Sequence, residues 1–221
     1  MESTTTSDPR RLRPDDALLV VDLQRDFLPG GALAVRGGEA VIAPVNACID
    51  RFVEHGLPVF ASRDWHPVDH CSFKAAGGTW PPHCVAGCAG AAFADALRLP
   101  PRARIVSKGT QREREAYSAF AGTDLHAQLR TGHVLRLFVC GLATDYCVAS
   151  SAVDALALGY RVVVVADAIA AVDVQPGDGE RALARELFRA IGCRVLDPQE
   201  EEGPADLGPA ANPYLIIFVD P

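Results

Sequence analysis

Apolar residues fall along the chain in two alternating patterns. Short unbroken runs such as Ala17-Leu18-Leu19-Val20-Val21 and Val162-Val163-Val164-Val165-Ala166 suit strands buried on both faces of a parallel sheet. Between them lie segments with helical spacing. Val41, Val45, Cys48, Ile49, Phe52 and Val53 recur at i, i+3, i+4 and i+7, with Pro44 in the first turn and a stop at His55-Gly56. The pattern predicts strands at 17–21, 58–62, 104–107, 137–140, 162–166 and 193–196. Helices are predicted after Gly38, over 124–130, from Asp145 through Leu158, and on the face carrying Leu183, Leu187, Phe188 and Ile191. Strands alternating with helices imply an α/β fold: one three-layer αβα domain around a six-stranded, mainly parallel sheet. Residues 1–15 read as a disordered arm, 16–197 as the domain, and 198–221 as an extension of unassigned role. In that extension, the apolar run Tyr214–Val219 could add an edge strand or pack on a neighbouring subunit of a homo-oligomer.

The 221 residues are 49% hydrophobic, enough for one sizeable core. A formal charge of −7 and the absence of a basic stripe argue against a nucleic-acid partner. No apolar run approaches the roughly 18 residues of a membrane span, and the polar amino terminus does not read as a signal peptide. Seven cysteines, an odd number, read as reduced thiols of a cytoplasmic protein.

Candidate chemistry gathers where the predicted strands end. Asp22 follows the first strand, Lys108 the third, and Cys147 comes just after the fourth, at the start of a helix whose positive dipole end favours a thiolate. Each has a plain alternative: a loop cap, a solvated charge, one more buried thiol. Carboxyl ends of parallel strands share one rim, however, and there the three can supply base, cation and nucleophile together.

A second group lies in the segment from Arg63 to about Gly90, which is too long for an idle connection. Asp64 and His66 are two apart, and His83, with His70 as a fourth candidate, completes an O/N ligand set with room for water. Such a set suits catalytic zinc, iron or manganese. Cys71, Cys84 and Cys88 in the same segment raise the alternative of a closed structural zinc, but they lack paired C-x-x-C spacing. Phe27, Trp80, Tyr117 and Tyr146 fall beside these groups and suggest an aromatic-lined pocket for a flat heteroaromatic substrate.

The motifs carrying these residues are Val20-Val21-Asp22-Leu23-Gln24-Arg25-Asp26-Phe27, Arg63-Asp64-Trp65-His66, Trp80-Pro81-Pro82-His83-Cys84, Ser107-Lys108-Gly109 and Gly141-Leu142-Ala143-Thr144-Asp145-Tyr146-Cys147. From Ala17 to Leu196 the chain resembles the nicotinamidases among the isochorismatase-like cysteine hydrolases. The resemblance implies an Asp22, Lys108, Cys147 triad and one divalent metal ion, zinc foremost, on Asp64, His66 and His83, with His70 in question. It also implies a cis peptide at Leu142-Ala143 that aims the N–H groups of Ala143 and Cys147 at an oxyanion. The implied reaction is hydrolysis of nicotinamide, and of pyrazinamide, through a Cys147 thioester, with the metal orienting the pyridine nitrogen and supplying bound water. Two rivals stand beside it: a metal-independent carbamoyl or ureido amidohydrolase of the same fold, and a non-enzymatic zinc or thiol protein.

Overall fold

In the computed structural model, which describes residues 11–172, 194–195 and 216–219, the first apolar run is the organising strand. β1 (Asp16–Val21) is buried throughout. It lies between β2 (Val59–Asp64) and β4 (Arg136–Leu142), parallel to both. β3 (Arg104–Lys108) extends the sheet beyond β2, and β5 (Arg161–Ala170) beyond β4.

The two faces of β1 feed two cores. Ala17, Leu19 and Val21 face one layer, with Leu125 and Leu129 of α2 (Leu125–Thr131) and Ala152 and Ala155 of α3 (Ala149–Ala157). Leu18 and Val20 face the other, with Val45, Ile49 and Phe52 of α1 (Ile42–Glu54). This period-2 division makes three layers, and each large apolar side chain fully buried contributes roughly 1.5–3 kcal/mol. The chain runs outward from β1 through β2 to β3, then returns to β4 on the other side. The crevice at the carboxyl ends of β1 and β4 is therefore a topological switch point, the usual ligand position in such sheets.

The predicted αβα class holds, but the strand inventory differs. Five parallel strands form the sheet's body. The apolar run of the extension enters as β7 (Ile216–Val219), antiparallel to β5, and β6 (Arg194–Val195) pairs antiparallel with β7. Seven strands result instead of six, because the last parallel strand expected beside β5 is separated from it by β7. β5 does not stop before Asp167: it runs on to Ala170 across a register break, where Val139 pairs Val164 but Gly141 pairs Ile169. The helix predicted around Leu183–Ile191 lies outside the described residues, as do residues 1–10.

Residues 11–15, expected to be disordered, are bound to the sheet. Arg136 Nη2 donates to the Arg11 carbonyl at 2.8 Å, and the N–H groups of Leu135 and Arg136 donate to the Asp15 carbonyl. Arg136 also grips Asp16 with two 2.6 Å bonds, an ion pair closing the rim of the sheet opposite the chemistry. Among the described residues no helix is long and apolar enough to cross a membrane.

Candidate active site

Three of the four strands from β1 to β4 end in a charged residue at one rim: Asp22 just past β1, Asp64 closing β2 and Lys108 closing β3. Asp64 and Lys108 are direct register partners. β4 instead crosses beside β1 at Gly141, whose φ is 113° and where a Cβ would sit 2.0 Å from the Val21 carbonyl oxygen. Only glycine fits there. A cis peptide joins Leu142 to Ala143, and the chain then enters a five-residue π-helical turn, Thr144–Val148, closed by the Val148 N–H on the Ala143 carbonyl. Cys147 thus sits in a π-helical turn leading into α3, not in the first α-helical turn the sequence suggests.

Lys108 is fully buried and is the hub of this rim. Its Nζ lies 2.9 Å from Asp22 Oδ2, bonds Asp64 Oδ1, donates to the Ala116 carbonyl at 3.0 Å and reaches Cys147 Sγ at 3.4 Å. Burial works against its charge, but Asp22 and Asp64 outweigh that and hold the ammonium protonated well above the usual lysine range. Asp22 Oδ1 accepts the Ser62 hydroxyl at 2.7 Å, while Oδ2 has no aligned hydrogen-bond donor. Burial, with neighbouring Asp64, pushes the Asp22 carboxyl up despite Lys108. Burial also pushes the Cys147 thiol well up, with Lys108 opposing and the two carboxylates reinforcing. The sequence-based expectation of a depressed thiol pKa meets the opposite direction here: desolvation outweighs the Lys108 ammonium, and the Cys147 thiol stands beside a base.

The second cluster adjoins the first. One ligand atom each from Asp64, His66 and His83 lies within 4.8 Å of the others, all three residues buried. His66 Nδ1 bonds the Gly109 carbonyl at 2.9 Å and His83 Nδ1 the Pro81 carbonyl at 2.8 Å. Both rings therefore keep Nε2 for the cluster, and His66 Nε2 stands 3.5 Å from Asp64 Oδ2. Two imidazoles oriented by backbone carbonyls and one carboxylate form a donor set that fits a divalent metal ion. Gly109 leaves room for this: a Cβ there would lie 2.4 Å from His66 Cε1.

His70, the fourth ligand candidate, is not in the cluster. Its Nδ1 bonds Ser72 Oγ at 2.7 Å, its Nε2 bonds the Arg114 carbonyl at 3.1 Å, and its ring stacks on His66 at 4.2 Å. With both nitrogens engaged it backs His66. Among the described residues no such cluster contains Cys71, Cys84 or Cys88, so the closed structural zinc has no geometry here.

Phe27, Trp80, Tyr117 and Tyr146 come together as the sequence predicts, lining one cavity with Asp64, His66, His83 and Cys147. Trp80 Nε1 donates to the Tyr117 hydroxyl at 3.0 Å, and Trp80 meets Tyr146 edge-on at 5.3 Å. Sequence reading missed Leu33 and Val35, which complete the apolar wall, and Glu115 at its exposed rim. It also missed Gln24. The buried Gln24 amide accepts the Asp64 N–H at 2.7 Å and donates to the Asp64 carbonyl at 2.8 Å, fixing that residue's backbone. Its signal was a polar side chain two residues after Asp22 in an otherwise buried run.

The isochorismatase domain model matches residues 16–197. The chain is 40% identical over 190 residues to a nicotinamidase of Escherichia coli (strain K12), covering 76% of this chain and 89% of that one. Among solved structures, the pyrazinamidase of Pyrococcus horikoshii in complex with zinc matches with a TM-score of 0.74 and 48% identity, covering 81% of this chain and 97% of the other. PnC1 from L. infantum in complex with nicotinate matches with a TM-score of 0.72 and 37% identity, covering 82% and 92%. The matched span takes in both clusters and all five parallel strands, and the chain belongs to the isochorismatase family.

Proposed function

We propose that this chain hydrolyses nicotinamide, and pyrazinamide as a related heteroaromatic carboxamide, to the carboxylic acid and ammonia. One observation carries the reading: the Cys147, Lys108 and Asp22 cluster and the Asp64, His66 and His83 cluster open into the same aromatic-lined cavity. A divalent ion held by those last three residues would anchor the pyridine nitrogen and keep water near the pocket. Zinc is the first candidate, and iron and manganese suit the same donors. Similarity to zinc-bound pyrazinamidase and nicotinate-bound PnC1 supports both metal and substrate class.

Asp22, as the carboxylate, accepts the Cys147 thiol proton on Oδ2 as sulfur attacks the carboxamide carbon, so the nucleophile need not ionise at rest. Its raised affinity for protons makes Asp22 a stronger base than an exposed aspartate. Lys108, held cationic, offsets the negative charge that develops. The Ala143 and Cys147 N–H groups receive the oxyanion. The C–N bond then breaks, the nitrogen takes the proton from Asp22, and ammonia leaves a Cys147 thioester. Water, deprotonated by Asp22, adds to the thioester carbon, and expulsion of the protonated sulfur restores the thiol. Trp80, Tyr117, Tyr146 and Phe27 hold the flat ring.

The six cysteines seen free among the described residues support a cytoplasmic setting. Self-association is a separate expectation, read out by sedimentation velocity. The test of function is steady-state ammonia release from nicotinamide with and without chelator. Chelator-sensitive release supports the reading. Chelator-insensitive release favours the metal-independent amidase, and no release favours the binding protein.

A further inference from the structure

Asp26 touches neither cluster, yet its carboxylate joins two segments that do. Oδ2 accepts the Cys84 N–H at 2.7 Å, the residue directly after His83. Cys84 has a left-handed φ of 45°, and its carbonyl accepts the His66 N–H at 3.0 Å, so this one residue, bonded in sequence to His83, connects both histidines. On the other side, Asp26 Oδ1 accepts the Ala32 N–H at 3.2 Å and the Asp26 carbonyl accepts the Leu33 N–H at 2.9 Å. Leu33 of the pocket wall therefore hangs from Asp26, and Val35 from the next residue, its N–H donated to the Phe27 carbonyl at 2.9 Å. Space for this carboxylate is kept by Gly90, where a Cβ would lie 2.1 Å from Asp26 Oδ2.

We infer that Asp26 is a positioning residue, holding the histidine arm and the substrate wall in register and so setting how long the site keeps its metal ion. The inference rests on the metal-dependent reading above. A neutral side chain offers one acceptor where Asp26 offers two, so one of the two segments loses its tether. Groups that orient metal ligands from outside the coordination shell typically govern 10- to 100-fold in metal affinity.

The experiment compares zinc-loaded wild type with Asp26→Asn and Gly90→Ala, the latter pressing a methyl on the carboxylate without changing its charge. Asp95→Ala, which removes an exposed partner of Arg25, serves as control. Zinc release to a colorimetric chelator is timed, and KM and kcat for nicotinamide are measured at saturating zinc. Asp26→Asn and Gly90→Ala should both release zinc roughly tenfold faster and raise KM while largely keeping kcat, with Asp95→Ala like wild type. Zinc release at the wild-type rate from both variants, or loss of kcat with zinc release unchanged, overturns the inference. Wild-type protein that takes up no zinc overturns the metal reading itself.

Discussion

The sheet rim and the segment between β2 and β3 each supply half of the site, and they order it by different means. On the rim, strand pairing does the positioning: Asp64 and Lys108 are register partners, and Gly141 brings β4 against β1 just before Cys147. In residues 65–103 order comes from single contacts, such as the His66–Val85 bridge, the Phe73–Trp80 bridge and the carbonyls that orient His66 and His83. Asp64 belongs to both, ending β2 while facing the histidines. Labour is divided accordingly: groups that make and break bonds stand at the ends of sheet strands, while groups that select metal and substrate stand on irregular chain.

Cys147→Ala should lower kcat by on the order of 10⁴-fold or more while retaining the fold, since nucleophile loss removes the covalent route; residual turnover near wild type would take chemistry off the rim. Stripping the metal, or making His66→Ala or His83→Ala, should abolish nicotinamide hydrolysis but lower the Tm only modestly, because neither histidine belongs to the two apolar cores that hold the sheet. Zinc, iron or manganese should restore the stripped protein. A chelator that unfolds the protein would make the metal structural and erase the distinction. Lys108→Ala should cost about 100-fold in kcat, and Lys108→Arg should not rescue it.

Unlike metal removal, Lys108→Ala should also destabilise the fold by roughly 3–5 kcal/mol, because Asp22 and Asp64 are left buried without their cation. Denaturant titration checks this, and an unchanged midpoint would contradict the rim's structural role. His70→Ala should have the mildest effect, a few-fold rise in KM through a less firmly held His66. A loss as large as that of His66→Ala would return His70 to the ligand set.

Legibility in the sequence follows the same division. The five parallel strands were visible because unbroken apolar runs have few other uses, and Asp22, Lys108 and Cys147 were visible because parallel strand ends must converge. The aromatic wall was readable from residues adjacent to those ends. The pairing of β7 between β5 and β6 was not, since a four-residue apolar strand carries no address for its partner. Nor were the engaged nitrogens of His70, the tether made by Gln24 or the thiol's raised pKa. Those depend on which carbonyl, hydroxyl or cation ends up nearby and on how completely the site is desolvated, and spacing along the chain encodes neither.

Everything above requires Cys147 to carry the acyl group inside a metal-bearing pocket. Its most direct test is mass spectrometry of metal-loaded protein, rapidly quenched in acid during nicotinamide turnover, with each proteolytic peptide read for an added nicotinoyl group. The adduct is expected on the peptide bearing Cys147, and none in metal-stripped protein or in Cys147→Ala. An adduct on another residue, or brisk ammonia release by Cys147→Ala with no adduct anywhere, would contradict it.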